Sequence, residues 1–208
     1  MILGLDTATP STAVALSNGI ERRHDPAPGE RPGHAAQLLV LVEEVLEGVG
    51  WDAVTRVAVG VGPGGFTGLR LGIATARALA QARDLPLVGV SSLLALAAGA
   101  GTGGVVAVID ARRGEVFAAS PGRFGPVALA PEVLAERIEA GALAVGDGAV
   151  RFREELERAG AFVPADDSPL HGVSALQVCR LGAHGEPADR DALLPDYRRE
   201  PDAKPRQH

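Results

Sequence analysis

Residues 2–16 read ILGLDTATPSTAVAL, two short apolar runs on either side of a polar turn. Such runs around a turn that contains Pro10 predict a β-hairpin. The pattern returns at residues 105–119 as VVAVIDARRGEVFAA, with Ala111–Gly114 as its turn. Asp6 and Asp110 end the first strands of the two hairpins and lie 104 residues apart. Self-similarity at this spacing predicts a chain built from two related halves.

The residues after each hairpin repeat as well. Each hairpin is followed by a helix, a strand, a glycine turn and a second helix. In the first half the helix, strand and second helix are predicted at His34–Gly48, Arg56–Val61 and Thr67–Arg83, and in the second half at Pro131–Ala140, Leu143–Val145 and about 150–160. This duplicated hairpin–helix–strand–helix unit predicts an α/β fold of two lobes that face each other across a cleft.

Other segments complete the outline. A third strand is expected near Ile20 within a polar loop, and further elements at Leu87–Val90 (strand), Ser91–Ala98 (helix) and Ser174–His184 (helix). Gly-rich residues 99–104 look like a linker, which divides the chain into an N-terminal lobe, 1–100, and a smaller second lobe with an extended tail, 101–208. We expect the last several residues to be disordered.

Composition limits the classes of function. With 208 residues, 46% hydrophobic, the chain can form one or two compact domains. Its single cysteine, Cys179, lies among apolar residues and is expected to be a buried small side chain in a reducing, cytoplasmic protein. We expect no membrane span and no export leader. The net charge of −6 disfavours unaided nucleic-acid binding, so any contact with RNA should run through a partner.

The glycine turn GPGGFTGLR, residues 62–70, resembles a phosphate loop. It lacks the lysine of a Walker A loop, and no acidic residue follows at the distance that dinucleotide binding needs. Two interpretations remain open. The backbone N–H groups at the start of the next helix could bind an anion, or the glycines could only allow close packing.

Asp6 and Asp110 allow two interpretations too. Aspartates at strand ends in a two-lobed enzyme could hold a metal or activate a nucleophile, whereas a single aspartate in such a place is usually a turn residue. The five histidines include no pair at the spacing of a helical metal site, and Ser91 and Ser92 have no recognisable base.

The helices that follow the first hairpin are apolar around most of their circumference. In Thr67–Arg83 the polar side chains form one narrow stripe, and Gly68, Gly72 and Ala76 form a ridge of small residues. His34–Gly48 has a similarly wide apolar arc. The two helices could pack only on each other and on the sheet, or their outer faces could form an interface with another chain.

Four segments together carry a resemblance to a known family. ILGLDTATPSTAVAL, GVGPGGFTGLRLGIATARALA, LVGVSSLLALA and VVAVIDARRGEVFAA, in this order, resemble the TsaB family, and the tail 194–198 is similar to its terminal P-x-Y-x-R signature. Residues 120–190 carry little of the resemblance. It implies a two-lobed actin-like, sugar-kinase-like (ASKHA) fold.

The resemblance also implies a role. TsaB proteins are non-catalytic relatives of TsaD, the metal-containing subunit that transfers threonylcarbamoyl to N6 of adenosine 37 in transfer RNA. The chain would be a scaffold that keeps TsaD active, without a cofactor of its own. A TsaE-type ATPase would join the complex, which uses ATP, and transfer RNA would be contacted only through the complex. TsaD-type chains carry a His-x-x-x-His metal pair. Here His34 has Leu38 at the position of the second histidine, so we expect no metal.

The implied sites are two. A vestigial nucleotide cleft would be formed by Asp6, Thr7, Gly62, Gly64, Gly65, Thr67 and Asp110. The interface with TsaD, or with a second copy when TsaD is absent, would be formed by Leu38, Leu41, Val42, Val45, Gly68, Leu69, Gly72, Ala76 and Leu79. The alternatives are an autonomous nucleotide-dependent phosphotransferase that uses Asp6 and Asp110, and a glycoprotease-like hydrolase, which would need a bound metal.

Overall fold

The computed structural model describes residues 1–27, 29–101 and 103–198, and it confirms the duplicated α/β architecture. The first sheet has the order β3-β2-β1-β4-β5, with strands Ile2–Asp6, Thr12–Leu16, Glu21–His24, Arg56–Gly62 and Leu87–Ser91 for β1 to β5. The second has the order β8-β7-β6-β9, with β6 to β9 at Val105–Arg112, Glu115–Ser120, Phe124–Leu129 and Leu143–Val145.

The two sheets repeat one topology. β1 pairs antiparallel with β2 and parallel with β4, and β6 pairs antiparallel with β7 and parallel with β9. The third strand expected near Ile20 is β3, and it has its counterpart in β8. The linker predicted at 99–104 begins too early, because residues 99 and 100 end the helix Ser92–Ala100; Thr102 lies outside the described residues. Residues 199–208, which include those predicted to be disordered, also lie outside them.

Seven α-helices occur in the described part of the chain: α1 to α7 are His34–Leu46, Phe66–Ala82, Ser92–Ala100, Pro131–Ala135, Asp147–Arg151, Arg153–Arg158 and Ala175–Gly182. The single helix predicted at about 150–160 is wrong: the segment begins earlier and forms α5 and α6. Phe152, at φ −111° and ψ 33°, leaves the helical region and separates them. The predicted helix Pro131–Ala140 is also shorter, because three-residue turns such as Arg137 N–H to Leu134 O follow α4.

Strand β2 shows how the first sheet is buried on both faces. Val14 and Leu16 pack into a core with α1 and α2, whereas Ala13 and Ala15 pack against Ala175 and Cys179 of α7. Small side chains on the second face let α7 approach closely. Cys179 is 1% exposed, as predicted, and burial raises the pKa of its thiol to about 12.

The packing of the helices crosses the division at residue 100. α3, from the first half of the sequence, packs on β6, β7 and β9, and α7, from the second half, packs on β1, β2 and β4. A shared core contains Ala58 and Val88 of the first sheet and Ile109 of the second. The two lobes therefore stabilise each other, and the boundary in the sequence separates the repeats rather than independent packing units.

The approach of α7 gives a testable requirement at Gly4. A Cβ atom there would lie 2.6 Å from both the carbonyl oxygen of Ala175 and the sulfur of Cys179. We expect Gly4→Ala to lower the free energy of unfolding by about 1–3 kcal/mol, because α7 must shift away from β1. Urea denaturation measures this change.

Gly125→Ala in β8 is the matched control. Its added Cβ would meet nothing within 4 Å, and its φ is not in the left-handed region. This variant should keep the stability of the original chain. Equal stability of the two alanine variants would contradict the account of α7 packing.

Candidate functional site

The glycine turn lies against the turn of the first hairpin. The N–H of Gly65 donates to the carbonyl oxygen of Ala8 at 2.7 Å, and a Cβ at Gly64 would come within 2.3 Å of that same oxygen. Gly62 has φ 97°, a left-handed conformation that glycine adopts without strain. Of the two interpretations from the sequence, the structure shows close packing against the chain's own backbone at this turn.

The same contact continues along the first turns of α2. The hydroxyl of Thr7 donates to the carbonyl oxygen of Gly68 at 2.8 Å. A Cβ at Gly68 would lie 2.2 Å from the carbonyl oxygen of Thr7, and one at Gly72 would lie 2.2 Å from the Thr7 hydroxyl. The hairpin turn therefore packs against the small-residue ridge of α2. Thr67, in contrast, is exposed.

Asp6 is buried, and both of its carboxylate oxygens accept hydrogen bonds. Oδ1 accepts from the N–H of Ala8 at 2.9 Å, and Oδ2 accepts from the hydroxyl of Ser92 at 2.6 Å. Ser92 accepts in turn from the N–H of Gly62 at 3.2 Å. Burial raises the pKa of Asp6 to about 6, and the two hydrogen bonds oppose this shift. The network joins β1, the glycine turn and the start of α3.

Sequence reasoning considered Ser92 only as a nucleophile and missed this role. The two partners are 86 residues apart, and no local pattern indicates their contact. Gly60 is the one residue whose type reflects this contact: it packs against Asp6 in space, and a Cβ at Gly60 would lie 1.9 Å from Asp6 Oδ2.

Asp110 occupies the equivalent position in the second lobe and has different partners. Its Oδ2 lies 2.8 Å from Arg151 Nη1 and 3.2 Å from Arg112 Nη1, and its own N–H donates to Asp147 Oδ1 at 3.1 Å. Burial raises the pKa of Asp147 to about 6. Asp110 is thus a paired residue at a hairpin turn that links β6 to α5.

His34 is the first residue of α1 and is 7% exposed. Its Nδ1 lies 2.8 Å from the hydroxyl of Thr12, and a Cβ at Gly68 would lie 3.0 Å from its Nε2. Burial lowers the pKa of His34, and nearby His24 adds to the effect. Within the described residues, no group of three or more His, Cys, Asp or Glu side chains is arranged to hold a metal ion.

The structure corrects the choice of interface side chains. Of the nine residues predicted for the interface, eight are buried in this chain and only Leu79 is partly exposed: Leu38, Leu41, Val42, Val45, Gly68, Leu69, Gly72 and Ala76 are the buried ones. The width of the apolar arc showed that the helices have more than one apolar side. It did not show which side meets the sheet.

A different set of side chains forms the outer apolar surface of these helices. On α1, Leu39 and Val40 are 55% and 46% exposed. α1 contacts α2, on which small side chains are exposed. We call this surface the docking face and define it by Ala36, Leu39, Val40, Leu71, Ala74 and Ala78, of which Leu71 is partly buried.

Comparison with known proteins agrees with this fold. The family model described as TsaD, tRNA N6-adenosine threonylcarbamoyltransferase, matches residues 30–135. The tRNA threonylcarbamoyladenosine biosynthesis protein TsaB of Escherichia coli is 37% identical over 66% of this chain and 66% of its own length. TsaB of Haemophilus influenzae is 39% identical over 56% of this chain and 51% of its own length. The chain thus spans about two thirds and one half of these two relatives.

Other relatives are covered almost completely. An uncharacterized protein of Mycobacterium tuberculosis is 37% identical over 98% of this chain and 94% of its own. The solved structure of YeaZ from Pseudomonas aeruginosa is 32% identical, covers 94% of this chain and 98% of its own, and has a TM-score of 0.74. These matches, together with the duplicated sheets, define a chain with the two-lobed actin-like fold. It belongs to the TsaB family, which confirms the resemblance seen in the sequence.

One further property can be read from the helices. None in the described ranges is long and apolar enough to cross a membrane.

The buried carboxylate of Asp6 predicts a pH dependence of stability. Between pH 4 and 6 the folded chain keeps a proton on Asp6 that the unfolded chain has released, because the folded pKa is about 6 and the ordinary value is 3.8. The free energy of unfolding therefore decreases as the pH rises through this window. Asp6→Asn should lack this contribution, which amounts to roughly 3 kcal/mol by linkage.

Urea titrations of both chains at pH 4.5 and pH 7.5 measure the difference. Comparison with Asp6→Asn separates Asp6 from Asp147, which titrates in the same window. Asp167→Asn, at an exposed position, is the control and should follow the original chain. An identical pH dependence in Asp6→Asn and the original chain would contradict the assignment to Asp6.

Proposed function

We propose that the chain is a non-catalytic subunit in the synthesis of N6-threonylcarbamoyladenosine at position 37 of transfer RNA, and that it acts as a scaffold for a TsaD-like catalytic paralogue. The names of its TsaB relatives support the pathway. One observation supports the scaffold role above all others: the glycine turn and Asp6 make contacts within the chain itself. The glycine turn packs against Thr7 and Ala8, and the Asp6 carboxylate accepts hydrogen bonds from Ser92 and Ala8. The groups that a nucleotide enzyme would use here serve the fold.

The docking face is the surface that we propose for this partner. Its exposed apolar side chains lie on two adjacent helices, and burying them would be favourable by roughly 25 cal/mol per Å². The family model that matches residues 30–135 is TsaD's own, so the paralogue should have a related pair of helices to pack against this one. Without the paralogue, a second copy of this chain could use the same face.

Charges on the two helices support such a helix-to-helix contact. Glu43, Glu44 and Glu47 are exposed near the end of α1, whereas Arg70 is exposed near the start of α2. In a contact between two related helix pairs, acidic and basic rims of this kind can face each other. Rim charges of opposite sign fix the register of an interface more than its affinity.

The other components of the proposed complex act beside the chain. A TsaE-like ATPase would bind to the pair and use ATP. The chain contributes no cofactor in this proposal. With a net charge of −6, it is expected to meet transfer RNA only through the complex.

A charge on the docking face should abolish partner binding. Leu39→Glu and Ala74→Glu both change exposed positions, so the isolated variants should keep their thermal unfolding temperature. Complex formation would bury an unpaired carboxylate and should weaken by at least several kcal/mol. Binding to the TsaD of the same organism, measured by calorimetry, checks this.

Two control variants sharpen the test. Val133→Glu places a carboxylate at a 40% exposed apolar position on α4 of the second lobe and should bind normally. Leu38→Glu, at a position 1% exposed in the core, should instead unfold the chain. Full binding by the Leu39→Glu, Ala74→Glu double variant would exclude the docking face as the interface.

The role in the pathway needs a reconstitution. The chain, its TsaD and its TsaE should together modify transfer RNA when ATP and a threonylcarbamoyl donor are supplied, and omission of this chain should abolish the product. Mass spectrometry of digested transfer RNA detects the modified nucleoside. ATP hydrolysis by the purified chain alone that is lost in Asp6→Ala would instead favour the phosphotransferase alternative.

A further inference from the structure

The last described residues return from the second lobe to the first. We call residues 188–198 the strap. The N–H of Ala188 donates to the carbonyl oxygen of Leu87 at 2.8 Å, and the N–H of Asp196 donates to the carbonyl oxygen of Val61 at 2.8 Å. Arg77 of α2 donates to the Asp191 carboxylate at 3.1 Å. These contacts hold the strap along β5, β4 and the side of α2.

The strap brings an aromatic ring to the first turn of α2. The rings of Tyr197 and Phe66 are stacked, with centroids 5.6 Å apart and planes at 29°. The guanidinium carbon of Arg70 lies 3.7 Å from the centroid of Phe66, and Arg70 Nε donates to the hydroxyl of Tyr197 at 2.8 Å. We call these three residues the aromatic patch.

The aromatic patch has the composition and order of a binding hot spot. Phe66 is 47% exposed and Tyr197 is 43% exposed, in a chain with only one Trp, one Tyr and five Phe. Tyr, Phe and Arg are enriched at protein interfaces, and Tyr and Arg are frequent among residues that dominate binding energy. The stack and the hydrogen bond already hold the side chains in place, so a partner would lose little entropy by ordering them.

We propose that the aromatic patch is a second contact surface for the TsaD-like partner that covers the docking face. This inference rests on the proposed function. Arg70 and Ala74 are four residues apart on α2, so their side chains are neighbours on the helix surface and the patch borders the docking face. A chain that packs over Leu71 and Ala74 would meet the patch at the edge of the same surface.

Arg70 defines the chemistry of the partner's contact. Its Nε is used by Tyr197, and among the described residues its two terminal nitrogens form no hydrogen bond. A guanidinium held over an aromatic ring presents these nitrogens as a planar fork, which matches a carboxylate. We therefore expect the partner to present an acidic side chain to Arg70 and an apolar side chain to the two rings.

The dissociation constant of the complex with TsaD tests the patch. Phe66→Ala and Arg70→Gln should each weaken binding about tenfold or more, as is usual when a hot-spot side chain is truncated. Tyr197→Phe keeps the ring but loses the hydroxyl, and it should have a smaller effect. Arg70→Gln should also reduce the salt dependence of binding, because it removes the charge that faces the carboxylate. Phe162→Ala, at a 64% exposed aromatic of the second lobe, is the matched control and should bind normally.

Thermal unfolding of each isolated variant separates a lost contact from a loosened strap. Unchanged binding by Phe66→Ala and Arg70→Gln, while Leu39→Glu abolishes it, would overturn the patch and leave the proposed function standing. A failure of the original chain to bind TsaD would overturn the proposed function, and the patch with it. Weaker binding by the patch variants at unchanged stability and unchanged Phe162→Ala binding would support the proposal.

Discussion

The first lobe depends on one constraint: the Thr7–Ala8 turn lies very close to the glycines of the glycine turn and of α2. A side chain at Gly64, Gly68 or Gly72 would clash with this turn, because a Cβ there would lie 2.2–2.3 Å from one of its oxygen atoms. The turn therefore fixes the rotation of α2 about its axis. That rotation decides which side of α2 meets the sheet and which side stays exposed.

The buried carboxylate of Asp6 extends this constraint to the second lobe. Its partner Ser92 is the first residue of α3, and α3 packs on the second sheet. An ionised group in the core is costly, and the hydrogen bonds to both Asp6 oxygens reduce this cost without cancelling it, since the pKa of Asp6 remains raised to about 6. A carboxylate that a nucleotide enzyme would direct at its ligand thus connects the lobes here. This agrees with the proposal that the chain acts by binding rather than by catalysis.

The sequence revealed the duplication but not the contacts between distant segments. The repeat could be predicted because two hairpins with the same apolar pattern and the same terminal aspartate are visible without any knowledge of packing. The exposed side of α1 could not, because Leu38 and Leu39 are equally apolar and differ only in which one faces the sheet. The Asp6–Ser92 contact and the contacts of the strap join residues 86 or more positions apart, so no short-range pattern of the sequence predicts them.

α2 has three sides with three different neighbours. Ile73 and Ala76 face the core, Arg77 is held by the strap, and Ala74 lies on the docking face. Since the core side is fixed by the hairpin turn and the strap side by hydrogen bonds, the outer side is presented in one orientation before any partner arrives. Preorganisation of this kind lowers the entropy cost of association. A scaffold gains affinity in this way from packing inside its own chain, and the turn that resembles a phosphate loop contributes to binding through the helix that it holds in place.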